Sequence, residues 1–372
     1  MKKILYILQK EFIQVFRNKT MLPIIFGLPI IQLIILVNAA TLEMKSIDMF
    51  VVDKDLSTLS NKLISKFEGS SFYNISNVSF SIKDANQAIE KNQTDFIMHI
   101  PYGFERNLMR ENSTQVQLLI DGINGTAASL INAYSLAVIT DFNRNIIVDL
   151  TKMPEMKNLN PIAIETSYWY NQELNYKIYM LPGILVILVT VISMFLAALN
   201  VVSEKEMGTI EQLNVTPIRK YEFIIGKLLP FLIIALFELA FGLVIGKVLF
   251  HIPIVGSLGL LFGFAVVYLL VVLGIGLFIS TISSTKQQVM FISFFFMLVF
   301  ILMSGIFTPT ESMPVWAQKV NLINPFYYFM RVIRMILLKG SGFWDISYEF
   351  FSLLAYAIIM LSLSVWRYRK VV

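Results

Sequence analysis

A short charged segment of this chain carries three carboxylates between two long apolar runs. The segment covers residues 203–217, and its carboxylates belong to Glu204, Glu206 and Glu211. Such groups can form ion pairs with the cations of a partner, which fixes its orientation and register more than it raises its affinity. The segment therefore predicts a docking element for a separate protein.

The pattern within this segment predicts a short helix over residues 203–215. Ser203 is followed three residues later by Glu206, which is the pattern of a capping box. Met207, Ile210 and Leu213 form an apolar stripe, which we expect to fill a groove on the partner. The alternative is an amphipathic loop on lipid, but glutamates are unfavourable against an anionic leaflet. The residues predicted to meet the partner are Glu204, Glu206, Met207, Gly208, Thr209, Ile210, Glu211 and Leu213.

This segment must be positioned by the neighbouring apolar runs, which are long enough to cross a membrane as helices. The mean hydropathy is +0.69 and 56% of the residues are hydrophobic, above the usual fraction of a soluble domain. A bilayer is crossed by a helix of about 20 apolar residues. The predicted spans are 21–40, 178–200, 224–250, 254–283, 287–308 and 347–366.

The distribution of Lys and Arg predicts the orientation of these spans. Cations concentrate in residues 1–20, 201–223 and 367–372, so we place these segments, and hence both termini, in the cytoplasm. Lys227 and Lys247 are expected to extend to opposite interfaces. Basic residues beside apolar helices are membrane anchors, so the net charge of +5 is not taken as a signal for nucleic acid.

The N-terminal segment 1–20 is predicted to be an amphipathic helix in the inner interface. Its apolar face is formed by Ile4, Leu5, Leu8, Phe12, Val15 and Phe16.

Residues 41–177 have a different pattern, with short apolar runs between polar residues. Strands at 48–53, 78–82, 94–100 and 115–121 alternate with helices, of which the last runs from 126 to 150. This alternation predicts an extracytoplasmic α/β domain. The fold class is thus a polytopic α-helical membrane protein with six transmembrane helices and an inserted α/β domain.

Catalytic signals are weak. His99 lies in an alternating strand without the partners that a catalytic base requires, and Asp53 and Asp55 are better explained by turn chemistry than by a metal site. The chain has no cysteine, which excludes thiolate chemistry. The sequence also has no glycine-rich phosphate-binding loop. We expect neither a bound cofactor nor an ATP site on this chain.

Glu238 lies inside the predicted span 224–250. An acid at membrane depth normally faces protein or a wet cavity. It is either a residue of a translocation path or gate, or a packing residue that holds two helices together.

Residues 309–346 are too polar to span and too apolar for a free loop. Pro314 is expected to begin one short helix, and Asn324 with Pro325 to begin a second. These helices are predicted to dip into the outer leaflet. Arg331 and Arg334 lie on one face of the second helix, where they could anchor it in the interface or contact an anionic substrate.

Three motifs together resemble the type-2 ABC exporter permeases, over the whole chain. The first is Glu204–Leu213 followed by Thr216-Pro217-Ile218 and Glu222–Lys227. The second is Trp169-Tyr170-Asn171 before Met180-Leu181-Pro182-Gly183, with Gln172 where the family often has proline. The third is Asn324-Pro325-Phe326 with Tyr328 and Arg331.

The resemblance implies a permease subunit of an ATP-driven exporter in the bacterial inner membrane. Two permease chains, identical or sibling, would pair with two separate ATPase subunits that bind the ATP. Family members with a large outer domain often resemble permeases that work together with a periplasmic adaptor protein and an outer-membrane channel protein. The alternative is an envelope assembly or signalling protein whose outer α/β domain binds a ligand or partner, although the inner segments leave no room for an output domain.

Overall fold

The computed structural model describes residues 2–17, 19, 21–39, 46–111, 113–151, 169–171, 175–209 and 219–367. Ile210, Glu211 and Leu213 of the predicted docking segment lie outside the described residues. The chain divides into two compact units. The first comprises Met1–Thr41 with Ser167–Val372, and the second comprises Leu42–Thr166.

The second unit is a four-stranded sheet with helices on both faces. The strand order is β2-β1-β3-β4, with β1 parallel to β2 and β3, and β4 antiparallel to β3. After α1 (Lys2–Arg17) and α2 (Met21–Ala39) of the first unit, its elements are β1 (Ile47–Asp53), α3 (Thr58–Glu68), β2 (Tyr73–Ser79), α4 (Ile82–Glu90), β3 (Phe96–Ile100), α5 (Phe104–Glu111), β4 (Gln117–Ile120) and α6 (Gly125–Thr151).

Successive side chains along β1 point to opposite faces of this sheet, and both faces are covered by helices. Met49 and Val51 of β1 pack in the core that includes α3 and α6, whereas Phe50 and Val52 pack with residues of α4. The predicted second strand is present, but its predicted bounds of 78–82 are wrong, because Ser81 caps α4 by accepting a hydrogen bond from the backbone N–H of Asp84. The strand instead ends at Ser79.

The two aspartates after β1 organise turns. The Asp53 carboxylate accepts hydrogen bonds from the backbone N–H groups of Asp55 and Leu56. Asp55 accepts from the backbone N–H groups of Gly103, Phe104 and Glu105 at the start of α5. Burial raises the pKa of Asp55, but a side-chain hydrogen bond with Ser57 and these backbone hydrogen bonds outweigh it and hold the pKa below its usual value.

Among the described residues that follow the α/β unit, the first unit has seven α-helices. They are α7 (Tyr176–Glu206), α8 (Lys220–Phe250), α9 (Leu258–Ile282), α10 (Lys286–Met303), α11 (Val315–Asn321), α12 (Pro325–Lys339) and α13 (Ser347–Arg367). Helix α7 is the most buried and packs against α2, α8, α9, α10 and α12. It therefore forms the centre of the unit.

Five helical segments among the described residues are long and apolar enough to cross a membrane. They are α7, α8, α9, α10 and Trp344–Arg367, which includes α13. The predicted first span, residues 21–40, corresponds to α2, a helix of 19 mostly apolar residues that is not among these five. Five of the six predicted spans are thus present as helices of crossing length.

The end of α7 differs from the prediction. The helix continues to Glu206, so Ser203 is an interior residue and not the N-cap of a separate helix. Gly208 follows with a φ of +71°, a left-handed conformation that glycine adopts without strain and that ends the helix. The helix therefore continues for about two turns beyond the predicted end of the span at residue 200.

The two short helices before the last span agree with the prediction. Pro314 precedes α11, and Asn324 caps α12 by accepting a hydrogen bond from the backbone N–H of Phe326, with Pro325 in the first turn. Helix α12 buries one face against α7 and α9.

Candidate functional site

Three consecutive charged residues at the end of α7 contact different neighbouring helices. Glu204 forms ion pairs with cations of α1 and α8. The Lys205 side chain donates to backbone carbonyls at the end of α9. Glu206 contacts Lys286, the first residue of α10. The last turn of α7 is thus tied to four other helices.

The first of these contacts belongs to a buried cluster, which we call the Lys227 cluster. The Lys227 ammonium lies 2.7 Å from Glu11 Oε1, 2.7 Å from Glu204 Oε2 and 2.8 Å from Asn200 Oδ1. The Asn200 amide donates to Glu11 Oε2 at 2.9 Å. Glu11, Asn200, Glu204 and Lys227 are each at most 3% exposed. Buried charges of this kind are stable only when they are paired and hydrogen-bonded.

Lys10 at the margin of the Lys227 cluster balances its charge. Its ammonium contacts Glu204 and lies 3.3 Å from Glu11 Oε1. Burial lowers the pKa of Lys10, but the hydrogen bond and charge of Glu204, together with the charge of Glu11, outweigh it and raise the pKa. Two carboxylates and two ammonium groups therefore meet where α1, α7 and α8 join.

Close packing of α1 on α8 brings these groups together. A Cβ atom at Gly226 would lie 2.8 Å from Ile7 Cγ2, so the approach of the two helices depends on this glycine. Ile7, Glu11 and Val15 are buried on one face of α1. Of the predicted apolar face, Val15 is buried within the protein, whereas Leu5 and Phe16 are exposed, and its placement in the interface stays a prediction.

The Lys227 cluster corrects two expectations. Glu204 is 2% exposed, so it is not free to orient a partner. Lys227 is 1% exposed and does not extend to an interface, whereas Lys247 is exposed. Glu11 and Asn200 were not predicted at all. Their signal in the sequence is a carboxylate within the apolar stripe of α1 and an amide near the end of an apolar run.

The two following residues hold the end of α7 against the loop between α9 and α10. The Lys205 ammonium donates to the Ser283 carbonyl at 2.8 Å and to the Ser280 carbonyl at 3.3 Å. The Glu206 carboxylate accepts from the backbone N–H of Lys286 at 2.7 Å. These contacts satisfy backbone groups that helix ends leave without intrahelical partners.

The open surface at the end of α7 includes Lys205, Glu206 and Met207, and Met207 is 57% exposed. Gly208 is also exposed, and the Thr209 hydroxyl donates to the Glu204 carbonyl at 3.2 Å. Of the predicted docking residues, Met207 and Gly208 are therefore accessible, Glu204 is enclosed, and Glu206 is exposed but engaged with α10.

The predicted arginines line a cavity at the other end of the helical unit, which we call the Arg334 cavity. Its volume is about 580 Å³. Arg331 is half-exposed and lies 3.3 Å from Glu349 Oε1. Arg334 lies over the Tyr179 ring, 3.8 Å from its centroid. The helix α7, which carries Tyr179 near its start and Glu204 near its end, has 31 residues and is about 46 Å long.

Glu238 lies within α8 and is 1% exposed. Within the part of the chain that the structure describes, neither of its carboxylate oxygens has a hydrogen-bond partner. Ala235 and Leu239 on the same helix are buried in the apolar core. Glu238 is thus enclosed by the helical unit and is not brought together with the Lys227 cluster by any contact among the described residues.

Comparison with known proteins identifies the family of this chain. A model of the ABC-2 family transporter proteins matches residues 19–366, which is nearly the whole chain. The chain belongs to the ABC-2 transporter family. It is therefore a membrane permease of the ABC transporter class, and its long apolar helices make it a multi-pass membrane protein.

Several named relatives support this assignment. "Probable multidrug ABC transporter permease YbhR" of Escherichia coli K12 is 30% identical over 336 residues, which cover 90% of each chain. "Inner membrane transport permease YhhJ" of the same organism is 25% identical over 87% of this permease and 85% of the relative. "Probable multidrug ABC transporter permease YbhS" is 29% identical over 65% and 64%.

The buried carboxylate of Glu238 can be tested in this permease by a stability measurement. We expect Glu238→Met to raise the free energy of unfolding by about 1–3 kcal/mol, because it removes a buried polar group that has no partner among the described residues. The measurement is thermal unfolding of the purified permease. The control is Glu349→Met, which leaves Arg331 without its carboxylate and should lower stability.

Export assays of the same variant separate packing from gating. If Glu238→Met stabilises the permease and leaves export unchanged, Glu238 has no role in the path or gate. Loss of export in a stabilised protein assigns it to the path or gate. A lower stability for Glu238→Met would contradict our interpretation, because it would mean that the carboxylate makes a favourable contact in the folded state.

Proposed function

We propose that this chain is the membrane subunit of an exporter that is driven by separate ATPase subunits. The observation that carries the proposal is the last turn of α7, where Glu204, Lys205 and Glu206 connect α7 with α1, α8, α9 and α10. A force applied to the segment that follows Met207 would act on all five helices. ATP binding and hydrolysis by a docked partner would thereby change the arrangement of the helical unit.

The docking surface that we propose differs from the one predicted from the sequence. Met207 and Gly208 supply an accessible start of the contact, and Ile210, Glu211 and Leu213 would extend it. Glu204 contributes indirectly by fixing the end of α7. Removing an exposed apolar group such as Met207 from water would supply binding energy.

In the proposed orientation, both termini and the end of α7 face the cytoplasm. Helix α2 would be the sixth crossing, and the α/β unit would lie outside the inner membrane of a bacterium. Two permease chains, identical or sibling, would pair in the transporter. Two relatives carry the word multidrug in their names, which favours amphipathic drug-like molecules as substrates. A periplasmic adaptor and an outer-membrane channel could complete the route.

The test of this proposal is copurification with the ATPase subunits of the host. We expect at least one ATPase to remain bound to the tagged permease after solubilisation, and its ATP hydrolysis to be stimulated by exported compounds. A permease that transports its substrate with no ATPase bound, or that imports the substrate, would contradict the proposal.

A further inference from the structure

Arg334 is held so that one edge of its guanidinium has no partner among the described residues. Its Nη1 donates to the Tyr179 hydroxyl at 3.1 Å and to the Gly305 carbonyl at 3.2 Å. Its Nε and Nη2 are buried and have no hydrogen-bond partner in the described chain. Buried donors without partners are rare in folded proteins and cost free energy.

The geometry of these two atoms is that of an anion site. Nε and Nη2 lie on the same edge of the planar guanidinium, and this edge can donate two parallel hydrogen bonds to a carboxylate or phosphate. The guanidinium carbon lies over the Tyr179 ring, 3.8 Å from its centroid, and this contact holds the group together with the two Nη1 hydrogen bonds. The donor edge is thus oriented before any ligand binds.

The rest of the Arg334 cavity suits the apolar part of such a ligand. Tyr170, Tyr327, Met330 and Leu338 are among the lining residues, and the volume of about 580 Å³ is that of a site for a small molecule. The aromatic and aliphatic walls can cover a hydrocarbon or ring system beside the charged group.

The charges around the Arg334 cavity favour an anion and single out Arg334. In the described part of the chain, the lining includes the cations Arg331, Arg334 and Lys339 and the carboxylate Glu311. Arg331 already has a carboxylate partner in Glu349, at 3.3 Å. Among these lining cations, Arg334 is therefore the one with buried N–H donors, on Nε and Nη2, that have no acceptor among the described residues.

We propose that the Arg334 cavity binds the phosphate or carboxylate group of an anionic amphiphile through the Nε and Nη2 atoms of Arg334. Both atoms are buried, so binding of the anion requires a movement that opens them to the cavity. Binding here does not depend on the exporter proposal, because it can be measured on the purified permease without an ATPase.

The test uses hexyl phosphate as a probe, titrated by calorimetry into the full-length permease in phosphatidylcholine nanodiscs. We expect saturable binding, weaker binding of inorganic phosphate, and no binding of hexanol. Arg334→Gln should weaken hexyl phosphate binding at least about tenfold, because two charge-assisted hydrogen bonds are lost. Arg331→Gln is the matched control, and less than about a threefold change is expected, because Arg331 is exposed and already paired.

Arg334→Lys keeps the positive charge but lacks the planar donor edge, so we expect it to bind as weakly as Arg334→Gln. This variant also decides the matter if Arg334→Gln does not fold. Wild-type affinity in Arg334→Lys, an equal loss in Arg331→Gln, or the absence of saturable binding to the wild-type protein would each overturn the proposal.

Native mass spectrometry distinguishes two sources of the anion. Phosphatidylglycerol retained by the wild-type permease and lost from Arg334→Gln would identify a membrane lipid as the ligand. Hexyl phosphate binding without retained phosphatidylglycerol would identify a soluble or transported amphiphile. Both results support the anion site, and they differ only in its natural occupant.

Discussion

Replacement of Lys227 by methionine is expected to lower the free energy of unfolding by about 3–5 kcal/mol, because it leaves buried carboxylates without their shared cation. Lys227 contacts Glu11 and Glu204 at 2.7 Å each, and both carboxylates are buried. Lys10 would remain as their cation, but it lies at the exposed margin of the cluster. The measurement is the thermal unfolding midpoint together with the yield of monodisperse protein.

Two further variants isolate the cause of this loss. Lys247→Met changes an exposed lysine of the same helix and should leave the unfolding midpoint nearly unchanged. Adding Glu11→Gln and Glu204→Gln to Lys227→Met should recover much of the lost stability, since no unpaired carboxylate remains. If the triple variant is less stable than Lys227→Met alone, the uncompensated charge is not the cause.

Replacement of Met207 by glutamate is expected to weaken ATPase binding by about tenfold to a hundredfold. The reason is that burial of a methionine side chain contributes about 1.5–3 kcal/mol, and each 1.4 kcal/mol is a factor of ten. Met207 is 57% exposed at the end of α7, so the substitution should leave the fold intact. The measurement is the amount of ATPase that copurifies with the permease at equal expression.

Two control variants separate the loss of a direct contact between Met207 and the ATPase from a general effect of adding a surface charge. Met207→Leu conserves an apolar side chain of similar volume and should retain the ATPase. Met109→Glu alters a methionine of comparable exposure, 50%, in the α/β unit and should have no effect on ATPase binding. Full retention of the ATPase by Met207→Glu would remove Met207 from the docking surface.

Periodicity and composition were sufficient to predict most of the architecture. Apolar runs of about 20 residues have few structural alternatives in a chain of this composition, and five of them are helices of crossing length. Proline at the start of a helix is equally restrictive, which is why Pro314 and Pro325 marked α11 and α12 correctly. The predicted first strand, residues 48–53, is close to β1, and the last predicted helix is close to α6.

The Lys227 cluster could not be predicted because its members are far apart in the sequence. Lys227 is separated from Glu11 by 216 positions, and Asn200 from Glu11 by 189. A lysine near the end of an apolar run ordinarily extends to the interface. Only the packing of α1 on α8 at Gly226 brings Glu11 to Lys227.

The predicted start of a helix at Ser203 failed for a related reason. Ser203 and Glu206 have the spacing of a capping box, but the same residues are compatible with the interior of a helix. Glu204 finds buried cations, and Lys205 and Glu206 bind the ends of neighbouring helices, so α7 gains contacts by continuing. Tertiary contacts thus outweigh the local capping signal.

The most direct test of the account is the accessibility of position 207 in the membrane. The chain contains no cysteine, so Met207→Cys introduces a single thiol. We predict that a membrane-impermeant maleimide labels this thiol in inverted vesicles but not in spheroplasts, and that bound ATPase protects it. Trp344→Cys, at an exposed position before α13, should show the opposite sidedness. Labelling of Met207→Cys in intact spheroplasts would contradict the account, because an ATPase in the cytoplasm could not then reach the end of α7.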